Sequence, residues 1–455
     1  MIKPEIGIIG AGPSGLAMSL FLNQASELLE QKNHVGGHAA SYLKEGFTFD
    51  YGPHIMFSQN KSILNFMITS LNDNVEKLKR ANKIAYKGLL VKYPFENDLK
   101  SLPKEDCFFC LKEFVYNPYK ELYPNPKNMR EWLLSVFGKG ICESYLFPYN
   151  EKVWNIAVDK LSMHWAERIP KPPADDIIKS AIGFETEGYL HQLYYHYPKQ
   201  GGYQAISESW AKACQVTHNF KVKKISKNDA GRFVVASDDM VREYATLIST
   251  MPIHQFFKCL QLPIPLEVRQ AVEQLIVNPM FIISFGVRGE DLQQLTAVYL
   301  PDPDFHVNRV SYPSTFSKQN APEGHYSVQA EITCVVDSDL WQLSDREILN
   351  YTKKGLQERG LLPQDADIVV EDVKRELNAY VVYDVGYEQR TKLIRDWCQK
   401  QGIYLVGRFS YFEYVNVDMA IERALNISMV LNDDKINKSD ELLERALKKI
   451  FFVTN

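Results

Sequence analysis

The sequence is short of the features that would settle an assignment quickly. Its 455 residues hold only seven cysteines, an odd number scattered over a long chain. That argues against a disulfide scaffold and for reduced thiols and a cytoplasmic address. The lone C-x-x-C, Cys107 to Cys110, has no second pair at zinc-ligand spacing, so both thiols are read as buried and inert and no metal is expected. No stretch approaches the ~18 apolar residues of a membrane span. The first apolar run is broken at once by Gly10, Gly12 and Pro13. A formal charge of −4 gives no general attraction to nucleic acid or to an anionic membrane, so any bound anion must be met by local cations. There is no internal repeat, no low-complexity tract, no nucleophilic Ser or Cys motif and no His/Glu metal box. The hard chemistry is therefore expected to fall to a cofactor.

What is present begins with EIGIIGAGPSGLAMSLFL. A short apolar run passes through Gly10, Gly12 and Gly15, with Pro13 and Ser14 opening a helical pattern. This reads as strand, tight turn, helix. Glycines at these places close the turn, admit a pyrophosphate to the backbone and let helix pack on strand, while the helix N-terminus offers unpaired N–H groups. Glu30 lies 20 residues beyond Gly10, where a carboxylate at the end of a second strand accepts ribose hydroxyls. A second glycine pair, Gly36 and Gly37, would admit the far half of a dinucleotide.

At 455 residues the chain is too long for one core. From 61 to 200 the pattern is mainly helical: Met129, Trp132, Leu133, Val136 and Phe137 share one face. After Gly201 and Gly202 short strand-like runs follow, FKVKKI, RFVVAS and YATLIST. Further runs, FIISFGV, TAVYL, HVNRVSY and YSVQAEIT, predict a separate antiparallel sheet. GIYLVGRF reads as a strand returning to the first domain, with Asn416 as N-cap of a following helix. The expected architecture is α/β: a discontinuous Rossmann-like dinucleotide-binding domain (1–60, 201–260, 381–440) with an inserted helical substrate domain (61–200) and an inserted antiparallel sheet domain (261–380). Residues 441–455 are read as a tail.

The glycine fingerprint, the ribose glutamate and the following GG resemble the opening of FAD proteins of the amine oxidase type, which implies that the dinucleotide is FAD and that the first domain is a Rossmann-like FAD-binding domain of the GR2 type. KNHVGG and FDYGPHIMFS are similar to the forms found in UDP-galactopyranose mutases. In that family the second block lies beside the flavin ring, which implies that His54 shapes the flavin environment. PYNEKVW resembles the mutase segment in which a tyrosine stands five residues before a tryptophan that lies against substrate. An arginine fourteen residues further on grips the diphosphate. Those positions are Tyr149, Trp154 and Arg168, with Tyr145 as a further aromatic flank. The resemblance also implies Arg309 as the second diphosphate arginine, and Tyr380, rather than Tyr383, together with Tyr414 as tyrosines touching the diphosphate. Arg408 would reach the FAD, and the helix starting at Asn416 and Val417 would point its N-terminus at the flavin's pyrimidine end.

The implied activity is a pyranose/furanose mutase for a nucleotide-diphosphate sugar in cell-surface polysaccharide precursor synthesis. Reduced FAD would act as the nucleophile, with NAD(P)H as reductant. Partners are then the nucleotide sugar, with no nucleic acid and no membrane span; a homo-oligomer is compatible. The alternative is an FAD-dependent oxidoreductase of the amine oxidase or protoporphyrinogen oxidase type, which needs no paired arginines aimed at one diphosphate. YPKQGGY is closer to the eukaryotic mutase form than to the bacterial one, and the motifs fix neither sugar nor base.

Overall fold

The computed structural model describes residues 4–166, 169, 171–186, 193–291, 294–432 and 439–452. Strand Ile6–Ile9 is buried at every residue, as a central strand must be. It pairs in parallel with Ser26–Leu29 on one side and Thr246–Ser249 on the other. Ile403–Leu405 and Val216–Thr217 add parallel edges, giving a five-stranded sheet drawn from distant stretches of the chain. Parallel neighbours require long crossovers, and here the crossovers carry the other parts of the molecule. The meander Lys224–Lys227, Phe233–Ala236 and Val241–Tyr244 forms a small separate sheet.

Helices Pro13–Phe21 and Val417–Leu431 pack together in one core through Leu16, Ala17, Leu20, Ile421 and Ala424. The stretch read as a C-terminal tail is corrected to a helix, Ser439–Phe452, docked in the same core through Leu442, Leu443, Ala446 and Ile450. Its basic residues explain the docking. Lys449 Nζ donates to the carbonyls of Leu20 and Leu22, each at 2.9 Å, and Arg445 donates to that of Phe21 at 2.7 Å. The orphan carbonyls at the end of helix Pro13–Phe21 are thereby satisfied.

The second large sheet has seven strands in the order Asp367–Val381, Val277–Arg288, His325–Thr333, Arg309–Ser311, Ala297–Tyr299, Asn82–Tyr86, Leu89–Lys92. All pairings are antiparallel except Ala297–Tyr299 with Asn82–Tyr86. The last two strands come from the stretch read as mainly helical. Their hairpin turns at Lys87 and Gly88, both at positive φ (49° and 81°), and a lysine there gives no usual turn signal. Beside this sheet, helix Met129–Ile141 buries Met129, Trp132, Leu133 and Phe137 as its period predicts. Gly140 lets helix Lys104–Val115 approach: a Cβ there would stand 2.6 Å from Cys110 Cα.

One buried carboxyl ties these parts together. Asp50 accepts from Ser41 Oγ (2.6 Å), the Tyr197 hydroxyl (2.8 Å) and the Tyr203 N–H (3.0 Å), while its own carbonyl accepts from Gln329 Nε2 at 3.0 Å. Burial pushes the Asp50 carboxyl up to about 6, against the lowering effect of those bonds. All seven cysteines are free. Among the described residues no helix is long and apolar enough to cross a membrane.

Candidate functional site

Two glycine turns meet at the C-terminal end of the parallel strands. Gly10 N–H donates to the Leu29 carbonyl at 2.9 Å and Gly36 N–H to that of Ala11 at 2.9 Å, so the loops before Pro13 and after Val35 are bound to each other. Gly10, Gly36 and Gly37 have φ of 98°, 112° and 55°, a region that favours glycine. Gly15 is required by packing, since a Cβ there would collide with the Gly10 carbonyl oxygen. Gly12 differs from all of these. Its φ of −76° and ψ of 177° suit any residue, and an added Cβ would stand 3.8 Å from the nearest protein atoms, in the Gly36–Gly37 turn. Nothing in the protein asks for glycine at 12. A pyrophosphate resting on the start of helix Pro13–Phe21 does.

Glu30 is buried at the end of Ser26–Leu29, its oxygens held by the N–H groups of Ala11 (2.8 Å) and Lys32 (2.9 Å). Ser14 lies against Gly407, where a Cβ would come within 2.8 Å of Ser14 Oγ. Asn416 occupies the N-cap of helix Val417–Leu431 with extended backbone, but its side chain makes no capping bond. These positions fit a dinucleotide: glycine without a packing reason, a helix N-terminus and a fixed carboxylate.

His54 Nδ1 donates to the Gly52 carbonyl at 2.8 Å, which leaves Nε2 as an acceptor. Burial, with the nearby Arg408 and Arg309 charges, lowers the imidazole to about 4. The ring is neutral near pH 7 and cannot serve there as a general acid. Arg408 donates through Nε to the Val415 carbonyl at 2.9 Å and lies 4.2 Å over the Tyr414 ring.

The tyrosines and tryptophan singled out in the sequence converge beside this point. Tyr380 stacks on Tyr414 with centroids 5.4 Å apart, and Trp154 meets both edge-on at 5.6 and 5.4 Å. Tyr149 stacks on Tyr145 at 5.4 Å, and Tyr145 on Phe95 at 5.2 Å. Burial drives the hydroxyls of Tyr145, Tyr149 and Tyr380 well above the ordinary phenol range. Helix Phe147–Trp154 is pinned to the sheet by Asn278 Nδ2, donating to the Trp154 carbonyl at 2.6 Å, and by Lys152 Nζ, donating to the carbonyls of Leu300 and Val307. Tyr383 has a supporting place, its hydroxyl accepting from the Tyr414 N–H at 2.6 Å.

Arg309 carries a partner that the sequence reading missed. It stands opposite Glu331 across the antiparallel pair Arg309–Ser311 and His325–Thr333, and the two side chains form a two-point ion pair through Nε and Nη2. Glu331 is 1% exposed. Its signal was a charged residue inside the otherwise uncharged run YSVQAEIT. Three more residues were missed. Tyr299 meets Tyr149 edge-on at 5.6 Å, Tyr93 lies 4.9 Å from Tyr299, and Glu96 is buried beside them. Arg168 lies outside the described residues.

The family described as flavin containing amine oxidoreductase matches residues 14–431, and the chain belongs to that family. Its fold is close to a solved structure of reduced UDP-galactopyranose mutase, with a TM-score of 0.88, 25% identity and 98% of both chains covered. In sequence, coproporphyrinogen III oxidase of Bacillus subtilis is 21% identical over 92% of this chain and 96% of its own length. UDP-galactopyranose mutase of Mycoplasma genitalium is 25% identical over 36% of this chain and 43% of its own.

Proposed function

We propose that this chain is a flavin-dependent mutase acting on a nucleoside-diphosphate sugar. The observation that carries the reading is the gathering of Tyr149, Trp154, Tyr380, Tyr414 and Arg309 beside the FAD-binding loops, on a fold superposable over nearly its whole length on a mutase. When bound and reduced, FAD supplies a nucleophilic ring nitrogen for attack at an anomeric carbon.

The chain's own residues position and neutralise. Trp154, Tyr149 and Tyr145 flank the sugar and nucleoside with apolar faces and polar edges. The Tyr380 and Tyr414 hydroxyls donate to diphosphate oxygens, and Arg309 faces the same oxygens. Glu331 cancels the Arg309 charge while fixing its fork, so Arg309 alone brings no net positive charge. Arg168 is assigned as the second cation, and Arg408 adds a third positive group from the FAD side. His54, neutral, serves as an acceptor next to the ring system. Closing aromatic walls around the anomeric centre excludes water that would otherwise hydrolyse the sugar.

A second reading, oxidation of a substrate by bound FAD, draws on the full-length similarity to coproporphyrinogen III oxidase. Nucleotide sugars incubated with the FAD-loaded protein separate the two. A mutase interconverts ring forms only after dithionite or NAD(P)H reduction and consumes no acceptor over many turnovers. Conversion by the oxidised protein with stoichiometric acceptor use, and silence of the reduced one, would discard the mutase reading.

A further inference from the structure

Lys152 stands on helix Phe147–Trp154, between Tyr149 and Trp154. Its side chain does not run out to solvent. Nζ donates to the carbonyls of Leu300 (2.7 Å) and Val307 (3.0 Å), at the two ends of the stretch that leads from strand Ala297–Tyr299 to strand Arg309–Ser311. The Lys152 carbonyl in turn accepts from the Thr333 hydroxyl at 3.3 Å. The Thr333 N–H donates to Asn308 Oδ1 at 3.1 Å, and the Asn308 N–H to the Glu331 carbonyl at 2.9 Å. Val307 and Asn308 directly precede Arg309, and Thr333 closes the strand that carries Glu331. One residue of the aromatic helix is thus bound to both chain segments that flank the Arg309–Glu331 pair. The stretch that receives Nζ is itself fixed. Arg359 pairs with Asp302 at 2.6 Å and lies 4.3 Å over the Phe305 ring, and the His306 N–H donates to the Tyr351 hydroxyl at 2.9 Å. The place is costly for an ammonium: burial, partly offset by Asp302 and deepened by Arg359, lowers it to about 7. A neutral amine keeps two N–H groups, enough for both carbonyls.

We infer that Lys152 is a positioning residue for turnover: it holds the helix that carries Tyr149 and Trp154 in register with Arg309, so that the aromatic wall and the cation meet one substrate together. The inference rests on the mutase reading above. A ring contact to the sugar and an arginine contact to the diphosphate, made by one molecule, orient the anomeric carbon only when the two walls keep their spacing. Those walls come from distant parts of the sequence. Asn278, which donates to the Trp154 carbonyl at 2.6 Å, ties the same helix to strand Val277–Arg288 and not to the strand of Arg309. An aliphatic residue of the same length at 152 would fill the space but bond neither carbonyl, leaving helix and strand free to shift against each other. A misplacement of about 1 Å between reacting groups costs on the order of 100-fold in rate.

The test is kcat per bound flavin of the FAD-loaded, dithionite-reduced protein. The substrate is whichever of UDP-galactose, UDP-glucose and GDP-mannose the wild type converts fastest. The variants are Lys152→Met, Thr333→Val, Trp154→Phe and the two double variants that include Trp154→Phe. Lys152→Met is expected to lower kcat about 10- to 100-fold. Thr333→Val, which loses one neutral hydrogen bond at nearly constant shape, should lower it about 3- to 10-fold. In the Trp154→Phe background each loss should shrink by about threefold or more, because the residue acts through a tryptophan that is gone, whereas damage unrelated to the aromatic wall multiplies through unchanged. Lys152→Met within about twofold of wild type overturns the inference, and so does full multiplication in the double variants. Should Lys152→Met fail to fold or to hold flavin, Thr333→Val decides by the same two criteria. A wild type that converts none of the three sugars would overturn the mutase reading and this inference with it, a result distinct from an active wild type matched by its variants.

Discussion

Gly12 offers a clean separation of folding from cofactor binding. Its backbone is extended in a way open to any residue, and a Cβ would meet only ordinary van der Waals contacts at 3.8 Å. Gly12→Ala should therefore change the stability of the apoprotein by no more than about 0.5 kcal/mol. The added methyl would occupy the space through which a pyrophosphate reaches the N–H groups at the start of helix Pro13–Phe21. Losing two charge-assisted bonds there, at about 1.5–3 kcal/mol each, costs about 3–6 kcal/mol, or roughly 10²- to 10⁴-fold in affinity. Gly15→Ala is the control of opposite kind. Its Cβ collides with the Gly10 carbonyl, and forcing strand and helix apart should cost about 1–3 kcal/mol or more of stability. Urea unfolding of the apoproteins and FAD titration by flavin fluorescence measure the two effects separately. The reasoning is refuted if Gly12→Ala binds FAD like wild type, or if it destabilises the apoprotein as much as Gly15→Ala does.

Asp50 should make stability depend on acid pH with an unusual sign. Its folded value of about 6 lies above the ordinary aspartate value of 3.8, so its contribution is fully present below about pH 4 and is lost as pH rises through about 6. The span of about two pH units is worth about 3 kcal/mol, and Asp50→Asn should flatten that part of the urea-midpoint profile. Arg309→Ala leaves Glu331 buried without its partner and should cost about 3–5 kcal/mol of stability besides impairing turnover; a variant as stable as wild type would show that water reaches the pair. Tyr380→Phe and Tyr414→Phe keep the stacked rings. Each should lower kcat by about 10- to 100-fold without shifting the flavin absorbance, and unchanged kcat in both would remove the hydroxyls from the reaction.

The local signals in the sequence were strong where one short segment contains its own physics. The turn Gly10–Gly15 is legible because strand, tight turn and helix are contiguous, and the amphipathic period of Met129–Ile141 and the strand Ile403–Leu405 are visible in the same way. The terminal helix Ser439–Phe452 was not, because what orders it is a set of carbonyls more than 400 residues earlier. Likewise, Asn82–Tyr86 becomes a strand by pairing with Ala297–Tyr299, a parallel contact between distant stretches. The site divides along the same line. Gly12, Glu30 and His54 could be singled out from motifs, yet the neutral state of His54 follows only from burial and the approach of Arg408 and Arg309. Arg309 could be singled out, but Glu331 reaches it only because two strands are in register. Residue type and short-range spacing determined which groups can do chemistry. Charge state and pairing were decided by long-range packing, since desolvation and Coulomb interactions act through space and not along the chain.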